Sequence, residues 1–150
     1  MSYTKLYKKQ IICGFPGIGK SYLAKKLNLN DSDSSKFDKK EFPKNYVDYI
    51  ERQEGVILSS SHKEVRNELK KRGLEFTVFI PSLDCKNEYL SRYKKRGSNK
   101  DFINLLNASW SDWIIDCMSE KNIKILKPKE YLEDVLELTT LRDFSCKDLT

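Results

Sequence analysis

Apolar positions along this chain alternate between two rhythms. Short apolar runs stop at turn residues, and between them apolar residues recur at helical spacing. Gln10 to Cys13 is the first run and ends at glycine, as a buried parallel strand would. Ser21 to Leu27 then predicts a helix with Leu23, Ala24 and Leu27 on one face. The polar cluster NDSDSS after Leu29 reads as the end of a second, very short strand. EFPKNYVDYIERQ predicts a helix, with Pro43 in its first turn where a missing N–H costs little.

Gly55 breaks that helix, and VILSSS is the next strand. HKEVRNELKKRG predicts a helix that carries Val65 and Leu69 and stops at Gly73. LEFTVFIP, rich in aromatic and β-branched residues, is the strongest strand. DCKNEYLSRYKKRG predicts a basic helix, FINLLNASWSDWIIDCMSE a long amphipathic one, NIKIL a strand and PKEYLEDVLEL a final helix. Strands alternating with helices imply an α/β fold, a parallel sheet sandwiched by helices. Ligands of such sheets bind at the carboxyl ends of the strands. No repeat or linker divides the chain, so residues 1–150 read as one domain, with a core at about 10–137 and a last ten residues free to fray.

Composition narrows the class. Apolar residues make up 39% and charged residues 33%, which suits a small globular protein with a well-solvated surface. No apolar run reaches bilayer length, and the first ten residues lack the apolar stretch of a secretory signal. The expected location is therefore the cytoplasm, without membrane contact. Cys13, Cys85, Cys117 and Cys146 show no CxxC spacing and read as reduced, small apolar residues. The net charge of +6 favours polyanionic partners and leaves nucleic acid open, although the basic residues are spread over several helices.

The residues from Gly14 to Ser21, GFPGIGKS, match G-x-x-x-x-G-K-[ST] in full. Gly14, Gly17 and Gly19, with Pro16 and Ile18 between them, allow backbone N–H groups to turn inward around phosphate oxygens. The helix that begins near Tyr22 adds its positive end. Lys20 reaches the β- and γ-phosphates as a point charge, and Ser21 places a hydroxyl on Mg²⁺. Together these residues call for a nucleoside triphosphate such as ATP, with Mg²⁺.

Other residues suit an acceptor. Asp31 and Asp33 lie at a strand end, where one can hold Mg²⁺ through water and the other can take a proton from an attacking hydroxyl. An ordinary Asx/Ser turn is the competing reading. Arg92 and Arg96 are four apart on one helix face and can neutralise charge on a transferred group, or simply be solvated. Ser60 at the end of the VILSSS strand, and His62 and Arg66 after it, can contact an acceptor, and Tyr46 or Tyr49 can stack on a base or pack. Trp110 and Trp113 fit a core role better than base stacking. A separate acid at the end of another apolar strand is not evident, which counts against a motor ATPase.

GFPGIGKS, the DxD pair and the RxxxR segment resemble the small P-loop kinases, such as adenylate kinase, shikimate kinase and polynucleotide 5′-kinase. Residues from about 10 to 127 also resemble adenylate-kinase-like phage proteins, through DSDSSKF, FPKNY, SSSHKEVR and RYKKRGS; for a phage protein the location would be the host cytoplasm. The resemblance implies a P-loop NTPase three-layer α/β/α sandwich with a five-stranded parallel sheet in the order 2-3-1-4-5. It implies Arg92 and Arg96 in a lid, and Mg²⁺-dependent transfer of a γ-phosphoryl group to a small acceptor, above all a nucleotide or nucleoside monophosphate. SSSHK stands where adenylate kinases carry a DGFPR-like segment, so the arginine and aspartate expected there are missing. A polynucleotide 5′-hydroxyl kinase and a triphosphate-binding regulatory module without an acceptor are the two rivals.

Overall fold

The computed structural model describes residues 8–137, apart from the side chains of Asn30 and Asp31. Five strands run in parallel: β1 Gln10–Gly14, β2 Asn30–Asp31, β3 Val56–Ser60, β4 Thr77–Pro81 and β5 Ile123–Leu126. Four of them form the body of the sheet, and the two-residue β2 pairs with the outer edge of β3, giving the order β2-β3-β1-β4-β5. Five helices join the strands and a sixth follows β5: α1 Lys20–Leu27, α2 Lys44–Arg52, α3 Lys63–Lys71, α4 Lys86–Lys95, α5 Lys100–Met118 and α6 Leu132–Val135. Right-handed crossovers put α1 on one face and α2 to α5 on the other. Packing agrees, since α6 returns to α1 while α2 packs on α3 and α4 on α5.

The core follows the apolar rhythm. β3 is buried along its whole length, and α5 turns Leu106, Trp110, Ile114 and Cys117 inward at helical spacing. Aromatic rings fill the space between sheet and helices: Phe15 meets Trp110 edge-on at 5.3 Å, and Tyr89 lies 5.5 Å from Trp110. Cys13, Cys85 and Cys117 are free and buried, and Cys146 lies outside the described residues. Burial pushes the thiols of Cys13 and Cys117 up to about 12 and about 11, so both stay protonated and unreactive at neutral pH.

Two elements are shorter than their sequence suggests. The strand at LEFTVFIP begins only at Thr77, because Gly73 (φ +70°) and Leu74 close α3 by donating to Lys70 and Leu69 carbonyls. The last helix is a single turn. Lys129 has φ +68°, and the Leu132 N–H donates to the Ile18 carbonyl at 2.7 Å, so residues 127–131 cross the molecule as a strap. Residues 138–150, including the stretch expected to fray, lie outside the described residues. Pro43 sits at the N-cap of α2 and not within its first turn. No described helix is long and apolar enough to cross a membrane.

A buried charge cluster ties the second helical layer together. Arg66 of α3 is 1% exposed; it donates to Asp116, to Glu120 at 2.6 Å and to the Ser61 carbonyl at 2.9 Å. The hydrogen bond from Arg66 holds the Asp116 carboxyl below the ordinary value of 3.8. A depressed carboxylate contributes stability above its unfolded value and loses it as pH falls through the folded one. Acid unfolding below about pH 4 is therefore expected to be steeper in the native protein than in Asp116→Asn, read by circular dichroism across a pH series. Parallel acid limbs would show that the pair adds nothing to that slope.

Candidate functional site

The register of the sheet brings Gly14 beside Ser60, and Asp31 beside Leu58, so the carboxyl ends of β1, β2 and β3 meet at one edge. Above that edge opens a cleft of about 1020 Å³, room for two small ligands side by side. The glycine-rich loop after β1 forms its floor.

The loop owes its shape to two left-handed glycines and to three anchored carbonyls. Gly17 has φ +91° and Gly19 φ +98°, where a side chain is strained. The Pro16 carbonyl accepts from the Tyr93 hydroxyl at 2.7 Å, the Gly17 carbonyl from Arg92 at 2.9 Å, and the Ile18 carbonyl from the Leu132 N–H. In a planar trans peptide the N–H points opposite the C=O. Fixing the Pro16 and Ile18 carbonyls on the protein side therefore turns the Gly17 and Gly19 N–H groups the other way. Neither these two N–H groups nor those of Ser21 and Tyr22 donate to a backbone carbonyl. They join the positive end of α1 as a ready anion cradle.

Lys20 opens α1 and folds back along the loop, its Nζ donating to the Gly14 carbonyl at 2.7 Å and the Ser59 carbonyl at 3.4 Å. Gly14 makes this path possible, since a Cβ there would lie 2.6 Å from Lys20 Cδ. Ser21 and the exposed Tyr22 line the cleft from the first turn of α1.

Gly17→Ala tests the loop's shape. It must place a side chain at φ +91° with its Cβ 2.7 Å from Tyr93 Cε1, whereas Gly97→Ala, at φ +76°, meets nothing within 4 Å. Both pay the backbone strain of about 1–3 kcal/mol, and Gly17→Ala is expected to lose more melting temperature in thermal denaturation. Equal losses would mean that contact with Tyr93 does not set the loop.

The opposite wall is polar and largely uncharged. Asp33 caps the short 3-10 turn Ser34–Lys36, accepting from the Ser35 N–H at 2.9 Å and its hydroxyl at 2.7 Å. Those bonds lower its pKa and keep it ionised at the cleft. Asp33 therefore serves the Asx turn and lines the site at once. Asp31 ends β2, but its side chain lies outside the described atoms. Ser60 shares a hydrogen bond with His62 Nδ1, and the His62 ring packs beside Trp113 and edge-on to Phe42. Partial burial of that ring lowers its pKa and favours the neutral imidazole.

Three expected site residues take other roles. Tyr46 is fully buried and does not stack on a ligand: its hydroxyl donates to the Ser32 carbonyl at 2.8 Å and accepts from the Ser60 N–H at 3.1 Å, joining the ends of β2 and β3. Arg66 points away from the cleft into its carboxylate pair. Arg92 belongs to no separate lid. It donates to the Gly17 carbonyl, to Glu88 and to the Glu130 carbonyl, each at 2.9 Å, with its guanidinium 4.2 Å from the Tyr89 ring centre and 3.8 Å from that of Tyr131. It lines the cleft while holding loop, helix and strap together. Arg96 lines the cleft at the C-cap of α4, over the Tyr93 ring and bonded to Ser98.

Several cleft residues escaped the sequence reading. Behind the cleft, Tyr93 and Tyr89 are buried under the loop and carried a signal, since tyrosines four apart on a basic helix mark its buried face. Trp113 lines the cleft as well as packing against Phe15. Tyr131, 45% exposed over the loop, and Lys129 come from the strap, which nothing in the local sequence placed there. No protein-family model matches the sequence, and no curated protein matches it either.

Proposed function

We propose that the protein is a P-loop phosphotransferase that moves the γ-phosphoryl group of ATP, or another nucleoside triphosphate, to a small acceptor in a Mg²⁺-dependent reaction. The observation that carries this reading is the orientation of the loop: anchored carbonyls outside, unpaired N–H groups inside, and Lys20 and Ser21 at the start of the helix. In it the N–H groups of Gly17, Gly19, Ser21 and Tyr22 receive phosphate oxygens, and Lys20 swings from the Gly14 carbonyl to the β- and γ-phosphates. Arg96 adds charge from the α4 side, and Arg92 keeps the cradle in shape.

The residues suit Mg²⁺ held mainly by phosphate oxygens and water. Ser21 lines the cleft, and Asp33 supplies a carboxylate within it. Among the described residues no group of three acidic, histidine or cysteine side chains forms a full metal cage. Such partial ligation is normal for this ion. When bound, Mg²⁺ would neutralise charge on the β- and γ-phosphates. Asp33 would orient an acceptor hydroxyl and take its proton.

ATP consumption by the full-length protein tests this, measured with excess Mg²⁺, with EDTA, and with each of a panel of acceptors. The expected result is Mg²⁺-dependent turnover that one acceptor raises well above background. Nucleotide binding with no stimulation by any acceptor would favour a triphosphate-binding regulatory module.

One observation favours polynucleotide 5′-hydroxyl transfer as a second reading: Lys95, Arg96 and Lys129 line the cleft of a chain with net charge +6. That reading predicts oligonucleotide affinity that falls steeply with salt, since neutralised phosphates release counterions. Affinity independent of salt would remove it.

A further inference from the structure

The charges of the cleft are divided between its two sides. The cations that line it, Lys20, Arg92, Lys95, Arg96 and Lys129, come from the start of α1, from α4 with its cap, and from the strap. The wall built after β2 and β3 presents Ser32, Asp33, Ser34, Ser60, Ser61 and His62, with Trp113 reaching in from α5. Among the described residues of that wall, Asp33 is the one carboxylate, and no lysine or arginine lines it. Lys20, which donates to the Ser59 carbonyl, acts on Asp33 and His62 from the loop side, and Lys36 acts on Asp33 without lining the cleft. Arg66, one helical turn beyond His62, is spent on Asp116 and Glu120.

A phosphate monoester carries close to two negative charges and needs charged donors to replace its water. Here it would meet an aspartate and a histidine held neutral. Hydroxyl groups find better complements. Ser32 and Ser61 are 8% and 1% exposed, and both line the cleft. Their hydroxyls are buried and have no hydrogen-bond partner. A serine hydroxyl both donates and accepts, and a change of χ1 rotamer redirects it. A ligand bearing several hydroxyls can satisfy both, and the Trp113 ring offers an apolar face for a sugar or base.

We propose that the acceptor is a small, uncharged, polyhydroxylated compound, a nucleoside or a sugar, held by Ser32, Ser60 and Ser61 against Trp113, and that a phosphorylated acceptor does not fit. The inference rests on the phosphotransferase reading above. An acceptor hydroxyl oxygen forms a bond to the γ-phosphorus. The bond from that phosphorus to the β–γ bridging oxygen breaks, and its electron pair leaves on the nucleoside diphosphate. The hydroxyl proton passes to the Asp33 carboxylate. The product is a phosphomonoester, where a monophosphate acceptor would give a phosphoanhydride.

The test uses the full-length protein with ATP and Mg²⁺. Ribonucleosides and deoxyribonucleosides are compared with their own 5′-monophosphates, beside ribose, glucose, glycerol and a 5′-hydroxyl oligonucleotide. Release of nucleoside diphosphate is followed, and phosphorus NMR identifies the product. The expected result is stimulation of at least about tenfold by an uncharged member of a pair and not by its monophosphate, with a phosphomonoester formed. Ser32→Ala and Ser61→Ala are then expected to raise the KM for that acceptor about tenfold without changing the KM for ATP. Neither hydroxyl has a partner in the free protein, so these variants keep their fold.

Stimulation by monophosphates alone, or by the oligonucleotide alone, would overturn the inference and leave the phosphotransferase reading standing. Serine variants with unchanged acceptor KM would overturn the assignment of the wall. If ATP binds and no acceptor accelerates its consumption, both the inference and the phosphotransferase reading fall.

Discussion

Lys20→Ala is expected to lower acceptor-dependent turnover by at least about a hundredfold to a thousandfold, the usual effect of deleting a group aimed at charge that develops during reaction. The side chain sits over the loop with its Nζ on two carbonyls, 2.7 Å from Gly14 O and 3.4 Å from Ser59 O. Both carbonyls are neutral acceptors. Phosphate oxygens would be far stronger partners, and the ammonium has only to swing from one set to the other. Circular dichroism of the variant should match the wild type while kcat falls. A Lys20→Ala protein with native turnover would remove Lys20 from the chemistry.

Arg66→Ala is expected to produce the largest loss of stability, about 3–5 kcal/mol, because it strands buried carboxylate charge. Glu120 is itself almost fully buried, and Lys70, 2.9 Å from its other oxygen, supplies only an exposed partner. Arg66 also donates to the Ser61 carbonyl, so its loss loosens the wall of the cleft as well as the contact between α3 and α5. Denaturant unfolding would show the loss directly, and the melting temperature should drop by roughly 10 °C. In a Glu120→Gln background the same substitution should cost less, since one stranded charge is already gone. A cost below about 1 kcal/mol in the native background would mean the cluster is well hydrated and adds no more than a surface pair.

The features that the sequence disclosed are those written in local backbone chemistry. Gly17, Gly19, Lys20 and Ser21 lie within a few residues of one another, and a glycine at positive φ or a cation at a helix start means the same in any fold. The strand at Val56–Ser60 and the buried face of α5 were legible for a similar reason, because period and burial go together. Arg66 shows the limit. It stands between Val65 and Leu69 on the inward face of α3, which hinted at burial, yet its partners lie 50 and 54 residues away. The resemblance implies a lid role for Arg92, whereas its partners at Gly17 and Glu130 depend on tertiary packing. The strap was invisible because the tendency of PKEYLEDVLEL to form a helix yields to tertiary contacts, from the Leu132 N–H to the Ile18 carbonyl, from Arg92 to the Glu130 carbonyl and from the Lys129 N–H to Glu88.

The account stands on the glycine-rich loop as a phosphate cradle, and one titration tests that directly. Full-length protein is titrated calorimetrically with ATP in excess Mg²⁺, then again with inorganic tripolyphosphate at saturation. The account predicts one-to-one ATP binding that tripolyphosphate abolishes, because the N–H groups of Gly17, Gly19, Ser21 and Tyr22 hold phosphates whatever base they carry. Absence of ATP binding, or binding that persists unchanged beside tripolyphosphate, would contradict it.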